Sequence, residues 1–170
     1  MKQVSEQPLL YQEDLNVGDS WTSDSRMVSA DDVADFARLT GDHDPLHTDI
    51  SGQSSPFGEP VAHGLLGLGI LAGLSTNFPR VATLAFVSVT DWEFTNPIFF
   101  GQKVHVVTEI ESLEQHGRRA CRVVWFRRLV NEQDKVVQQG RFITLVASKS
   151  RVKKSSPKPE DTQRGNLPPR

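Results

Sequence analysis

Val61-Ala-His-Gly-Leu-Leu-Gly-Leu-Gly-Ile-Leu-Ala-Gly-Leu74 is the stretch that decides the fold. It holds no Asp, Glu, Lys or Arg, and Leu or Ile stands at 65, 66, 68, 70, 71 and 74. Apolar residues fall on every side of such a helix, so it is expected to be enclosed rather than laid on a surface. Gly64, Gly67, Gly69 and Gly73 each cost about 1 kcal/mol relative to Ala inside a helix. Glycines are tolerated there when another backbone or a ligand must come close. A central helix wrapped by a sheet meets both conditions. The uncharged run to Phe78 is marginal in length for a membrane span. Its glycines, His63, Ser75, Thr76 and Asn77, and the lack of flanking aromatic anchors argue against one, so a soluble protein is expected.

Downstream of this helix the chain reads as strands. Ala82–Phe94 is rich in β-branched and aromatic residues and is interrupted by Thr95-Asn96-Pro97. Lys103–Leu113 alternates, and Ala120–Val130 and Val136–Ala147 complete an antiparallel meander about the Asn131–Lys135 turn. Upstream, Trp21–Val28 reads as one short strand. Ser29 with Asp32 forms a helix-start signature, Val33, Phe36 and Ala37 recur at helical spacing, and Gly41 offers the left-handed stop. A helix is therefore expected over Ala30–Thr40, with Asp42–Asp49 as a loop after it. Pro45 prevents the helix from continuing through that loop. The order of elements predicts an α+β domain in which one long helix is held against a curled antiparallel sheet.

The 170 residues suffice for one domain with its own core. Residues 1–14 read as an irregular lead-in, 15–148 as the folded domain, and 149–170 as a disordered tail rich in Pro, Ser and basic residues. The tail carries seven Lys/Arg against two Asp/Glu. With a net charge of −2 for the whole chain, residues 1–148 carry −7. An acidic body argues against a nucleic-acid groove. Cys121 is the sole cysteine, in a strand-like run, and reads as an inert buried thiol. The N-terminus lacks the apolar core of a signal peptide, so a cytoplasmic location is expected.

The loop Gly41-Asp42-His43-Asp44-Pro45-Leu46-His47 carries the chemistry. On a continuous helix, Asp42 and His47 would be rotated by about 140° from each other; the break at Pro45 lets both side chains point at one place. A carboxylate and an imidazole converging on one water form a general acid–base pair. Further on, His63-Gly64 opens the apolar helix, where free N–H groups and the positive end of the helix dipole gather. Gly64 lets a carbonyl approach the backbone, so its N–H is a candidate oxyanion donor. Pro45, His63 and Leu65 flank these groups as expected substrate contacts, with His63 also orienting the helix start. No spacing of His, Cys and carboxylates suggests a metal site, and no phosphate-binding glycine loop follows a strand, so neither metal nor cofactor is expected.

Together with Phe57-Gly58-Glu59-Pro60-Val61-Ala62-His63-Gly64 and the later Phe94–Gln102, this loop resembles the MaoC-like family of (R)-specific enoyl-CoA hydratases over roughly residues 15–146. The resemblance implies the hot-dog fold, in which a long helix is wrapped by an antiparallel sheet. It implies reversible addition of water to trans-2-enoyl thioesters, carried by CoA or acyl-carrier protein. It also implies that Asp42 and His47 hold the attacking water, Asp42 mainly as base, while the Gly64 N–H binds the thioester oxygen. A homodimer or larger homo-oligomer is the expected assembly, with no nucleic acid or membrane partner. Two departures stand out. Asp44 occupies a place where relatives often have Asn, and the helix after Gly64 lacks a serine that many relatives carry. Lys103, Arg118, Arg119 and Arg127 are the candidate partners of CoA phosphates.

Two rival readings differ in class. A hot-dog acyl-CoA thioesterase would commonly place a carboxylate on the central helix, and none occurs between Val61 and Phe78. A non-catalytic acyl-binding subunit of a heteromeric dehydratase would have no need of both Asp42 and His47.

Overall fold

The computed structural model describes residues 7–152. The first six residues of the expected lead-in, and 153–170 of the tail expected over 149–170, lie outside the described residues, whereas the first four residues of that tail form a short helix, Lys149–Val152. Four long strands, β3 (Thr83–Phe94), β4 (Lys103–His116), β5 (Ala120–Asn131) and β6 (Val136–Ala147), join two short ones, β1 (Ser20–Thr22) and β2 (Arg26–Met27), in one sheet. Its order is β1-β4-β5-β6-β3, with β2 also on β4, and every pairing is antiparallel. The helices are α1 (Ala30–Thr40), α2 (Pro45–Thr48), α3 (Gly64–Leu74) and α4 (Lys149–Val152). Among these described helices, none is long and apolar enough to cross a membrane.

The expected strand over Trp21–Val28 is divided because Ser23 interrupts it. Its hydroxyl accepts the Val106 N–H at 2.9 Å, taking over a ladder position that a backbone carbonyl would otherwise fill. The sequence also orders β4, β5 and β6 as a meander, which they are, but β3 does not join its neighbour β4. It pairs with β6 at the opposite edge, so residues 95–102 must cross the sheet to reach β4. That crossing runs over the start of α3, where Ala62 N–H donates to Ile98 C=O at 2.8 Å and Val61 bridges Phe99.

Alternation sets the buried face. Val104, Val106 and Ile110 of β4, Val123, Trp125 and Leu129 of β5, and Phe142 and Val146 of β6 point inward onto Ile70 and Leu71 of α3. Complete burial of a side chain such as Leu71 contributes about 1.5–3 kcal/mol. Register shifts in β3/β6 between Thr90 and Glu93, and in β4/β5 between Ile110 and Ser112, bend the strands so that the sheet curls round the helix. This is the hot-dog arrangement, α+β, with one helix inside one curled sheet.

The expectation that α3 is enclosed on all sides does not hold within one chain. Gly67, Ile70 and Leu71 are buried, whereas Leu65, Gly69, Ala72 and Gly73 form an open stripe at helical spacing. The glycines divide the same way. A methyl group on Gly67 would lie 2.2 Å from Gln138 Nε2, and one on Gly64 would lie 2.9 Å from the Phe94 ring. Nothing lies within 4 Å of the corresponding positions at Gly69 and Gly73. Close approach accounts for the first pair only.

Candidate active site

Helix α1 delivers Asp42. Ser29 caps its start in a reciprocal box with Asp32, and Gly41, at φ 80°, ends it with its N–H on Ala37 C=O at 2.8 Å. The segment expected as a loop contains a helical turn, α2. Asp44 Oδ1 accepts the Leu46 N–H at 2.8 Å and Pro45 takes the first helical position, where it needs no donor. The negative charge that distinguishes Asp44 from the Asn of the resemblance is thus spent at a helix start, which favours an anion. His47 rides on this turn.

Two hydrogen bonds set the imidazoles. His47 Nδ1 lies 2.7 Å from Val61 C=O, and His63 Nε2 lies 3.0 Å from Asp42 C=O. A carbonyl only accepts, so in each neutral ring the named nitrogen carries the proton. His47 Nε2 is left with a free lone pair. The rings stack with centroids 3.9 Å apart, and Phe36 covers the other side of His63 at 5.0 Å. A carboxylate oxygen of Asp42 and a nitrogen from each ring all lie within 4.8 Å of one another. That separation lets one water bridge the carboxylate and an imidazole. Among the described residues these three also form the one group whose donors could hold a metal ion. The sequence gives no spacing signal for it, because the three come from separate elements.

His47 and Gly64 face a cavity of about 470 Å³, walled also by Phe57, Phe94, Asn96 and Ile98. Asp42 is not in its wall; its side chain is half exposed, with Oδ2 3.9 Å from His63 Nε2. His63 is 2% exposed and lies behind His47 rather than in the cavity wall, so it acts here as a wedge that locates Asp42. Pro45 and Leu65 are exposed and do not line the cavity. Of the basic residues expected near a CoA carrier, Arg127 is buried beneath the helix. Arg118 and Arg119 lie instead in a shallow depression at the β4–β5 turn with His116.

Gln138 is a site residue that sequence reasoning missed. Buried on β6, it donates from Nε2 to Gly64 C=O at 2.9 Å and lines the cavity, holding the first turn of α3 in place. Its signal was available, as a polar side chain at an inward position of an alternating strand. The Gly64 N–H stands at the first position of α3, where no intrahelical acceptor exists, so it is free for a ligand oxygen.

Fold and grouping together define a hot-dog domain with a candidate acid–base site at the start of its helix. The chain belongs to the MaoC like domain family, whose model matches residues 16–132. It is 35% identical over 114 residues to 3-hydroxybutyryl-CoA dehydratase of Methylorubrum extorquens, covering 66% of this chain and 71% of that protein. It is 29% identical over 93 residues to the (R)-specific enoyl-CoA hydratase of Aeromonas caviae, covering 54% and 68%. Among solved structures, a conserved Mycobacterium tuberculosis protein with a double hot-dog fold superimposes with a TM-score of 0.70 at 18% identity. The match covers 82% of this chain and 44% of that one.

The opposed hydrogen bonds make a prediction. In a nitrogen-15 correlation spectrum of the neutral rings, His47 should show its proton on Nδ1 and His63 on Nε2. A proton on His47 Nε2 would contradict the assignment of that atom as an acceptor.

Proposed function

We propose that this protein adds water reversibly to trans-2-enoyl thioesters, giving (R)-3-hydroxyacyl thioesters, with CoA or acyl-carrier protein as the carrier. The observation that carries the reading is the grouping of an Asp42 carboxylate oxygen with a ring nitrogen of His47, whose Nε2 keeps its lone pair, while His47 and Gly64, at the free N–H that opens α3, line one cavity. A water between the two acceptors gives each of them one hydrogen bond. The thioester oxygen sits on the Gly64 N–H, where the helix dipole favours the negative charge that develops as the enolate forms. The water oxygen bonds to C3 while Asp42 takes its proton, and the pair returns a proton to C2. The added hydroxyl and the proton together account for one water.

The thioesterase alternative wants a carboxylate on the central helix, and α3 has none. Both Asp42 and His47 are held in place by hydrogen bonds from neighbouring elements, which favours catalysis over acyl binding alone.

The open surfaces support a homodimer. Among the described residues the outer edge of β3 has no partner strand, and Leu84, Phe86, Val87 and Phe94 on it, with Leu65 on α3, are exposed. An apolar edge strand beside an apolar helix stripe suits a second copy. The reading includes a homodimer closed over these residues, with the thioester cavity near the interface through Phe94.

With crotonyl-CoA, the wild-type chain should consume the conjugated enoyl absorbance and yield product oxidised by an (R)-specific 3-hydroxyacyl-CoA dehydrogenase. Asp42→Asn and His47→Ala should each lower turnover by about two to four orders of magnitude while the fold persists. Full activity in either variant, or release of free thiol in place of hydration, would overturn the reading. In sedimentation the 18.9 kDa chain should run at twice its mass; a monomer at micromolar concentration would remove the dimer from the account.

A further inference from the structure

Arg127 is a cation on the inward face of β5, between Trp125 and Leu129, where alternation otherwise places apolar side chains. It is 8% exposed, and among the described residues its Nε has no hydrogen-bond partner. Burial lowers its pKa to about 10, and among the described residues no carboxylate offsets that effect. Its guanidinium lies 4.7 Å from the Phe142 ring centre and 5.6 Å from that of Trp125. Cation–π attraction of this kind offsets only part of the cost of an unpaired buried ion.

Its surroundings repeat the theme. The register puts Thr108 and Gly140 directly beside Arg127 on β4 and β6, and the Trp92 ring rests over Gly140. Thr108 Oγ1 and Trp92 Nε1 are likewise buried without partners. Arg127 itself forms part of a second cavity, of about 310 Å³, under the C-terminal half of α3. Ala72, Pro79, Val81, Phe86 and Phe142 supply the apolar part of its wall, Ser75, Thr76 and Thr83 add hydroxyls, and among the described residues no acidic one lines it. Thr144 lines it too. Its Oγ1 accepts the Trp125 Nε1–H at 2.9 Å, which leaves the hydroxyl proton free to donate inward. Gly64 and Ala72 are eight residues apart on one helix, so the two cavities lie roughly 12 Å apart along it.

We propose that the cavity beside Arg127 binds a carboxylate carried on a short apolar body, at a site separate from the thioester cavity. The planar guanidinium presents paired donors that match a carboxylate, Thr144 adds a third, and the apolar part of the wall suits a hydrocarbon of a few carbons. A phosphate would bring a second charge for which the site has no second cation. The carboxylate belongs either to a free molecule or to the far end of an acyl group whose thioester lies at Gly64. The second source rests on the hydratase reading.

Butyrate, n-butanol and inorganic phosphate, each added to the full chain at constant ionic strength, separate these chemistries by calorimetric titration and thermal unfolding. Butyrate should bind saturably and raise Tm, with butanol and phosphate at least about tenfold weaker. Arg127→Met should lose the butyrate response. Equal responses to butyrate and butanol would overturn the proposal and leave Arg127 as a packed core cation. So would an undiminished butyrate response in Arg127→Met, or no binding of any carboxylate from acetate to hexanoate, as when a second copy fills the site. The butyrate–butanol comparison needs no variant, so it stands even if Arg127→Met fails to fold.

The source is read from kcat/KM for a carboxy-terminated enoyl-CoA against an uncharged one of equal length. A loss of about tenfold or more in Arg127→Met for the charged substrate alone assigns the carboxylate to the acyl group. An unchanged ratio with lost butyrate binding assigns it to a separate molecule. If no enoyl-CoA is hydrated, the hydratase reading fails while the binding measurement still decides this one.

Discussion

The 2.7 Å hydrogen bond between His47 Nδ1 and Val61 C=O is the constraint on which the site depends. It joins a one-turn helix to the strand-like segment that leads into the central helix. The Val61 N–H reinforces it by donating back to Leu46 C=O at 3.3 Å. The same short segment receives the sheet crossover through Ala62 and Ile98. Three chain segments distant in sequence are therefore pinned within a few residues of Gly64. The bond also has a chemical consequence, because it decides which imidazole nitrogen is left to accept a proton.

Polar groups on the concave face of the sheet support this arrangement at some cost. Gln138 ties the first turn of α3 to β6, and that contact requires the missing side chain of Gly67. A larger residue there would push the helix away from the sheet and carry the Gly64 N–H with it. The rest of the helix has no such demand, since its outer glycines meet nothing among the described residues. Their smallness suits a surface that another copy approaches closely.

Much of this was legible in the residues. Ser29, Asp32 and Gly41 mark both ends of α1, because capping and left-handed termination are local chemistry that needs no tertiary partner. Strand patterning likewise located β4, β5 and β6, and alternation gave one face of β4. What alternation does not encode is which strand lies beside which, so the displacement of β3 to the far edge and the crossover over α3 were not readable. The helical turn at Pro45 was hidden by its length, since four residues leave no periodicity. Asp42, His47 and Gly64 could be singled out by residue type and spacing, yet their meeting depends on His63 and Val61, whose roles arise from packing. Arg127 shows the limit most plainly. In the sequence it is one arginine among several, and its burial follows only from the phase of β5 against the helix.

Infrared spectroscopy of an isotopically labelled crotonyl thioester, bound to the Asp42→Asn/His47→Ala protein so that no turnover occurs, tests the central claim most directly. In the proposed reaction the thioester oxygen sits on the free N–H that opens α3. The carbonyl stretch should therefore move to lower frequency on binding, although both side chains of the proposed water-holding pair have been altered. A bound thioester with the carbonyl frequency of free substrate would show that the helix start does not polarise it, and would contradict the account.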